Sequence, residues 1–208
     1  VGAGPIHNPV SRRLMRRAAR NARVVTYRDE GSRRFMAGLG VPASADAVQP
    51  DVVFALPRPP AAPAVSAPRR VIGLGVMAYY GWHSDPRAGA ATFERYLAAM
   101  VALAMRLLAE GHDVRLLIGD MVDLVAAERI SAAVETASRP RAAARITCER
   151  IATYADVMVQ AARTDVLVAS RYHNVIAGLM ARVPTISIGY ADKNRAVMAE
   201  FGLQRYCH

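Results

Sequence analysis

Lysine is almost missing from this chain. Of its 27 basic residues 26 are arginine, and Lys193 is the single lysine. Ala, Arg, Val and Gly abound, the signature of a GC-rich coding sequence that writes Arg wherever a surface cation serves. The formal charge of +10 is therefore no nucleic-acid signal by itself, and no basic-aromatic nucleic-acid module accompanies it. The same bias sets Lys193 apart, because Lys and Arg are not interchangeable where a compact, titratable ammonium is needed. Cysteine is scarce too. Cys148 and Cys207 are too few and too far apart for a disulfide or zinc framework, which points to a reducing, cytoplasmic compartment. Long apolar runs are absent: the one at 97–105 stops at Arg106, short of the ~20 residues a membrane helix needs. There is no signal-peptide or lipidation pattern. What is present, 53% hydrophobic and 21% charged residues in a chain of 208, suffices for one large or two small domains with a proper core.

The chain begins at Val1 on a Gly-Pro segment and ends abruptly at His208, so part of a longer protein is expected to be absent. Its clearest boundary is residues 57–70, where Pro57, Pro59, Pro60 and Pro63 exclude helix and sheet interior and predict an extended linker. In front of it the pattern predicts a basic helix over 10–22, a short strand over 23–27, a helix over 31–39 closed by Gly40 and Pro42, and a strand over 51–56. Behind it strands and helices alternate: strands at 71–77, 113–118, 145–148, 165–169 and 185–188, helices at 90–110, 120–137, 154–163, 174–182 and 192–201. Apolar strands alternating with helices imply an α/β fold with a parallel, doubly wound, Rossmann-like sheet, which binds ligands beyond the carboxyl ends of its strands.

Chemistry concentrates in residues 165–193. A strand ends at Ser170, Arg171-Tyr172-His173 follows, and a helix is expected to open at Asn174. This places Arg171 and His173 where helix amides and the helix dipole gather anions, and Arg adds a planar fork for phosphate or carboxylate. His173 as a plain helix-start residue is the bland alternative. Lys193 follows the next strand in the same way, so adjacent strands would bring His173 and Lys193 to one sheet edge, a cationic site for a small, strongly anionic ligand. Tyr79, Tyr80, Trp82 and His83 follow the strand at 71–77; they suit either stacking on a sugar face or packing of the loop. Gly73-Leu74-Gly75 is a weak dinucleotide motif and reads better as a strand that another backbone approaches. Asp120 and Asp123 lie on the rim or cap a helix. The arginines at 11–23 suit an anionic membrane surface or codon bias alike.

The run from Ser170-Arg171-Tyr172-His173-Asn174 to Lys193 resembles the polysaccharide pyruvyl transferase signature: an Arg-x-His pair at a helix start, Gly178 and Pro184 before a strand, and a Lys twenty residues after the His. Tyr172 stands where the family commonly has Leu. The front part is similar as well, in Arg28-Asp29 with Ser32, Gly40-Val41, and Asp51 with Phe54 and Leu56. The resemblance implies a two-domain, GT-B-like architecture: 1–56 as the remnant of a largely missing N-terminal Rossmann-like domain, 57–70 as linker, and 71–208 as the C-terminal domain. It implies phosphoenolpyruvate as donor and a saccharide or lipid-linked saccharide of a cell-surface or exopolysaccharide precursor as acceptor. The product is a pyruvate ketal, made in the cytoplasm or at the inner membrane face, with no metal and no cofactor. Arg28, His173 and Lys193 match the family's functional residues. Arg171, Asn174, Ser170, Tyr79, Tyr80 and Trp82 then become candidates for substrate binding. The donor's phosphate and carboxylate need several cations and oriented amides; His173 is the side chain best suited to move a proton near neutral pH, and its alternative role is simply to donate to the phosphate. Arg28 retains a bland alternative, an Arg-Asp pair capping the helix that follows. Two other functions compete: a GT-B glycosyltransferase using a nucleotide sugar, which the lack of an acidic residue in 174–182 disfavours, and a basic, non-catalytic anion-binding module.

Overall fold

A computed structural model describes residues 2–4, 6–42, 48–60, 69–81, 85–138 and 140–208, the side chain of residue 141 excepted. The chain divides into two compact units, Val1–Leu56 and Pro57–His208.

The first unit is small. Helix α1 (Pro9–Asn21) starts on Asn8, whose side chain accepts from the Val10 and Ser11 amides, with proline in its first turn. Helix α2 (Glu30–Gly38) starts on Asp29, whose carboxylate accepts from Ser32 N–H at 2.7 Å. Tyr27, Met36 and Val41 form the buried centre, and the partly buried Met15 and Ala19 of α1 lie against it. The remaining faces of α1, including its arginines, are exposed. The two strands expected here are not found. Tyr27 makes only an isolated bridge to Val48, and residues Val52–Ala55 form a 3-10 helix begun by the Asp51 carboxylate on Val53 N–H. β-branched runs make strands only where other strands pair with them, and Val52 stands 84% exposed.

The second unit is the expected α/β sheet. Its elements are β1 (Val71–Val76), α3 (Pro86–Ala109), β2 (Asp113–Ile118), α4 (Leu124–Ala137), α5 (Pro140–Ala143) and β3 (Ile146–Cys148). They continue with α6 (Tyr154–Ala162), β4 (Val166–Ala169), α7 (Tyr172–Met180), β5 (Thr185–Ser187) and α8 (Asp192–Glu200). All five strands are parallel, in the order β3-β2-β1-β4-β5. β1 shows how the sequence sets the layers. Ile72, Leu74 and Val76 join Phe93, Leu97 and Met100 of α3 and Ile130 of α4 in the main core. The intervening glycines face the opposite layer, where a Cβ on Gly75 would meet Ala169 and the amide of Asn174. The Gly-Leu-Gly segment is therefore a close-approach surface for β4 and α7. Of the expected linker, residues 61–68 lie outside the described residues.

Candidate active site

The strand order reverses between β1 and β4: β2 and β3 lie on one side of β1, β4 and β5 on the other. At such a switch point the connections leave in opposite directions and open a crevice beyond the strands' carboxyl ends. Residues 77–80 and 170–173 border it.

Three loops meet on Asp123, which follows β2 and is fully buried. Its Oδ1 accepts from Ala78 N–H at 2.9 Å, after β1. Arg171, after β4, donates Nε to Oδ2 at 2.8 Å and Nη2 to Oδ1 at 2.5 Å. The hydrogen bonds to Asp123 raise the Arg171 pKa above its usual value, outweighing the opposing effect of burial. Asp123 thus provides no side-chain cap for α4, whereas Asp120 begins a 3-10 turn through Val122 N–H.

Helix α7 opens at Tyr172, two residues earlier than the sequence pattern suggests, so His173 sits inside its first turn. The N-cap position is Arg171, with no side-chain cap; α8 likewise starts on Ala191 without one. By contrast α1, α2, α3 and α6 are all capped by side chains. Neither α7 nor α8 thus spends a side chain on its first-turn amides, although Asn194 N–H donates to Ala191 O at 3.0 Å; helix starts at this edge of the sheet are the kind that is receptive to anions. An imidazole and an ammonium stand beside them. The rings of His173 and Tyr172 meet edge-on at 5.4 Å, and Lys193 Nζ lies 5.4 Å from the centroid of the same Tyr172 ring. Tyr190 flanks the ammonium from 5.2 Å. Cation–π contact positions a charge without neutralising it, and among the described residues no ion pair includes Lys193.

A family model for polysaccharide pyruvyl transferase matches residues 1–192 of the 208. The chain belongs to the polysaccharide pyruvyl transferase family. The match covers the Arg-x-His segment and stops one residue before Lys193, whose place in the site is given by its geometry. Among solved structures, a mutant O-GlcNAc transferase of Thermobaculum terrenum is similar at 19% identity and a TM-score of 0.43, over 72% of this chain and 28% of that one. A likeness so distant carries no argument about function, and this chain spans less than a third of that protein. No curated protein matches.

In this pyruvyl transferase family member the remaining candidates divide between scaffold and rim. Ser170 is buried; its Oγ lies 3.2 Å from the Tyr96 hydroxyl, which accepts from Met77 N–H at 3.1 Å. Burial pushes the Tyr96 phenol above its usual pKa. Asn174 is buried against Gly75 and Gly119 and donates to Leu117 O at 3.3 Å. Tyr79 packs between Tyr96 and Tyr190, with centroids 6.0 and 6.1 Å away, whereas Tyr80 leans on Phe93 of α3. Trp82 and His83 lie outside the described residues.

Arg28 belongs to the first unit. Its guanidinium approaches Asp29 at 3.6 Å and Asp51 at 3.7 Å, each a carboxylate that also starts a helix. Among the described residues no group of three or more His, Cys, Asp or Glu is spaced to hold a metal ion, and no helix is long and apolar enough to cross a membrane.

Sequence reading missed several contributors. Asn194 is fully buried and donates to Ser170 O at 3.1 Å, which seats the start of α8 against the end of β4. Tyr154, first in α6, donates its hydroxyl to His173 O at 2.8 Å. Asn194 had a signal: Tyr172-His173-Asn174 and Asp192-Lys193-Asn194 repeat a basic side chain followed by asparagine at the same twenty-residue spacing.

Proposed function

We propose that this protein transfers the pyruvyl group of phosphoenolpyruvate to two hydroxyls of a saccharide, closing a pyruvate ketal and releasing phosphate. The single observation carrying this reading is that His173 and Lys193 meet on the Tyr172 ring, beside two helix starts without side-chain caps. Such a site suits a compact ligand with two anionic groups.

In this reading the amides at the starts of α7 and α8, the guanidinium of Arg171 and the ammonium of Lys193 hold the donor's phosphate and carboxylate. His173 gives a proton to the methylene carbon while a sugar hydroxyl attacks the adjacent carbon. The C–O bond to phosphate then breaks. Attack by the second hydroxyl closes the ring, and the protons lost by the two hydroxyls balance the one gained by carbon and the one taken up by phosphate or water. Lys193 beside the phosphate lowers the barrier by meeting charge that grows on the leaving group. Tyr79 and Tyr190 offer faces on which a sugar ring can stack. Arg28 is assigned to donor binding on its motif match alone. The acceptor is a precursor of a cell-surface or exopolysaccharide, free or lipid-linked, and the arginines of α1 suit peripheral contact with an anionic membrane.

The test is incubation with phosphoenolpyruvate and a panel of glycosides bearing paired hydroxyls, with phosphate and products followed together. The reading expects acceptor-dependent phosphate release and a product carrying one pyruvyl group. Phosphate release by none of the glycosides, or turnover of a nucleotide sugar in its place, would contradict it.

A further inference from the structure

Arg171 does not enter the crevice alone, and the residue that governs it is far away in sequence. We propose that Asp123 is the positioning residue of the donor site: its buried carboxylate fixes the Arg171 fork and the loop after β1 as one unit at the sheet's switch point. This rests on the reading of the crevice as the phosphoenolpyruvate site.

The geometry is more than that of an ordinary ion pair. Asp123 has no solvent exposure, while the Arg171 side chain is 21% exposed. The carboxylate is thus buried, while the guanidinium side chain keeps part of its surface exposed. The pair engages Nε and Nη2 and leaves the Nη1 side of the planar fork facing away from the carboxylate. An arginine held along one edge loses the rotamer freedom of its long side chain before any ligand arrives, so an anion reaching the other edge pays less ordering entropy. The same carboxylate accepts from Ala78 N–H, which adjoins Tyr79. It therefore sets the spacing between the arginine after β4 and the aromatic after β1 across the crevice. Asp123 closes the 3-10 turn that Asp120 begins and that runs into α4, and its side chain makes no cap there, so both oxygens serve the neighbouring loops. A buried carboxylate bonded twice to one arginine and once to a neighbouring loop is expected where orientation of that arginine matters.

The test compares the wild-type protein with Asp123→Asn, Arg171→Gln and the double variant, measuring phosphoenolpyruvate binding by calorimetry and folding by thermal unfolding. Asn preserves shape and can still accept from Ala78 N–H, but cannot hold a guanidinium bidentately as a carboxylate does. Asp123→Asn is expected to weaken donor binding about tenfold in the presence of Arg171 and less than twofold in the Arg171→Gln background. In turnover the loss falls on the KM for phosphoenolpyruvate, with kcat changing less than threefold. Equal weakening in both backgrounds, or none in either, overturns the positioning role. If Asp123→Asn does not fold, Arg171→Lys supplies the second arm: it keeps the charge and loses the bidentate fork, and unchanged donor affinity there overturns the proposal as well. A wild-type protein that fails to bind phosphoenolpyruvate overturns the functional reading on which the proposal rests, an outcome distinct from failure of the variants.

Discussion

Helices α6 and α7 are neighbours of equal length, nine residues each, yet they begin in opposite ways. The start of α6 is closed. Thr153 Oγ1 accepts from Asp156 N–H, and the Asp156 carboxylate accepts from Thr153 N–H and from Ala152 N–H, a complete capping box. The start of α7 has no side-chain cap, and its N-cap residue is an arginine held away by Asp123. The hydroxyl of Tyr154 on His173 O joins the two starts, so both lie at the same edge of the sheet. One helix has its terminal amides met by side chains; the other, like α8, has no side-chain cap. Arginine-rich decoration is spread over this chain and teaches little. At α7 and α8 a start without a side-chain cap lies beside His173 and Lys193, and that pairing carries the functional reading.

The largest effect should come from the residue the open start presents. His173→Ala is expected to reduce ketal formation at least about a hundredfold, the usual scale for loss of a proton-transfer group, with a thermal midpoint near that of wild type. A collapse of the midpoint would assign His173 to packing against Tyr154 and Tyr172. Lys193→Arg keeps the charge but replaces a compact ammonium by a broad fork between the Tyr172 and Tyr190 rings. Turnover should fall by about tenfold or more, and unchanged transfer would remove the need for an ammonium.

The comparison can be reversed by closing an open start. Ala191→Asp supplies α8 with the cap it lacks, so stability should rise by about 0.5–1 kcal/mol while donor affinity falls several-fold because a carboxylate now occupies the amides. A rise in both would show that these amides do not meet the donor. The smallest effect is expected at the closed start. Thr153→Ala should cost about 1 kcal/mol of stability and leave donor binding unchanged. The backbone hydrogen bonds from Ala152 and Thr153 depress the Asp156 pKa. Its contribution is therefore present above the ordinary aspartate range and is lost as pH falls through that lowered value. Thermal midpoints of wild type and Asp156→Asn should accordingly converge in strong acid.

The same contrast explains what was legible in the sequence. The sheet was, because β1, β2 and β4 are apolar runs covered on both faces, and such runs are read without knowing their partners. The start of α6 was legible to the residue, since Thr153 and Asp156 are a written cap. The start of α7 was misplaced by two residues for the reason that makes it interesting: Tyr172-His173 carries no capping signal. α3 begins at Pro86, four residues earlier than expected, although Asp85-Pro86 is a recognisable cap and first-turn proline. His173 and Lys193 could be expected at one sheet edge because a strand end and a helix start are local features. Asp123 was seen only as a rim or capping carboxylate, because its partner Arg171 lies 48 residues away and nothing local announces the pair. In the first unit, β-branched residues at 23–27 and 51–56 suggested strands that lack a sheet to join.

The most direct measurement is a phosphoenolpyruvate titration followed by backbone amide NMR. The account predicts that the amides of His173 and Asn174 and of Lys193 and Asn194 shift together and saturate at one concentration, while those of Tyr154, Ala155 and Asp156 stay in place. Shifts at α6 equal to those at α7 and α8, or shifts confined to the arginines of α1, would contradict it.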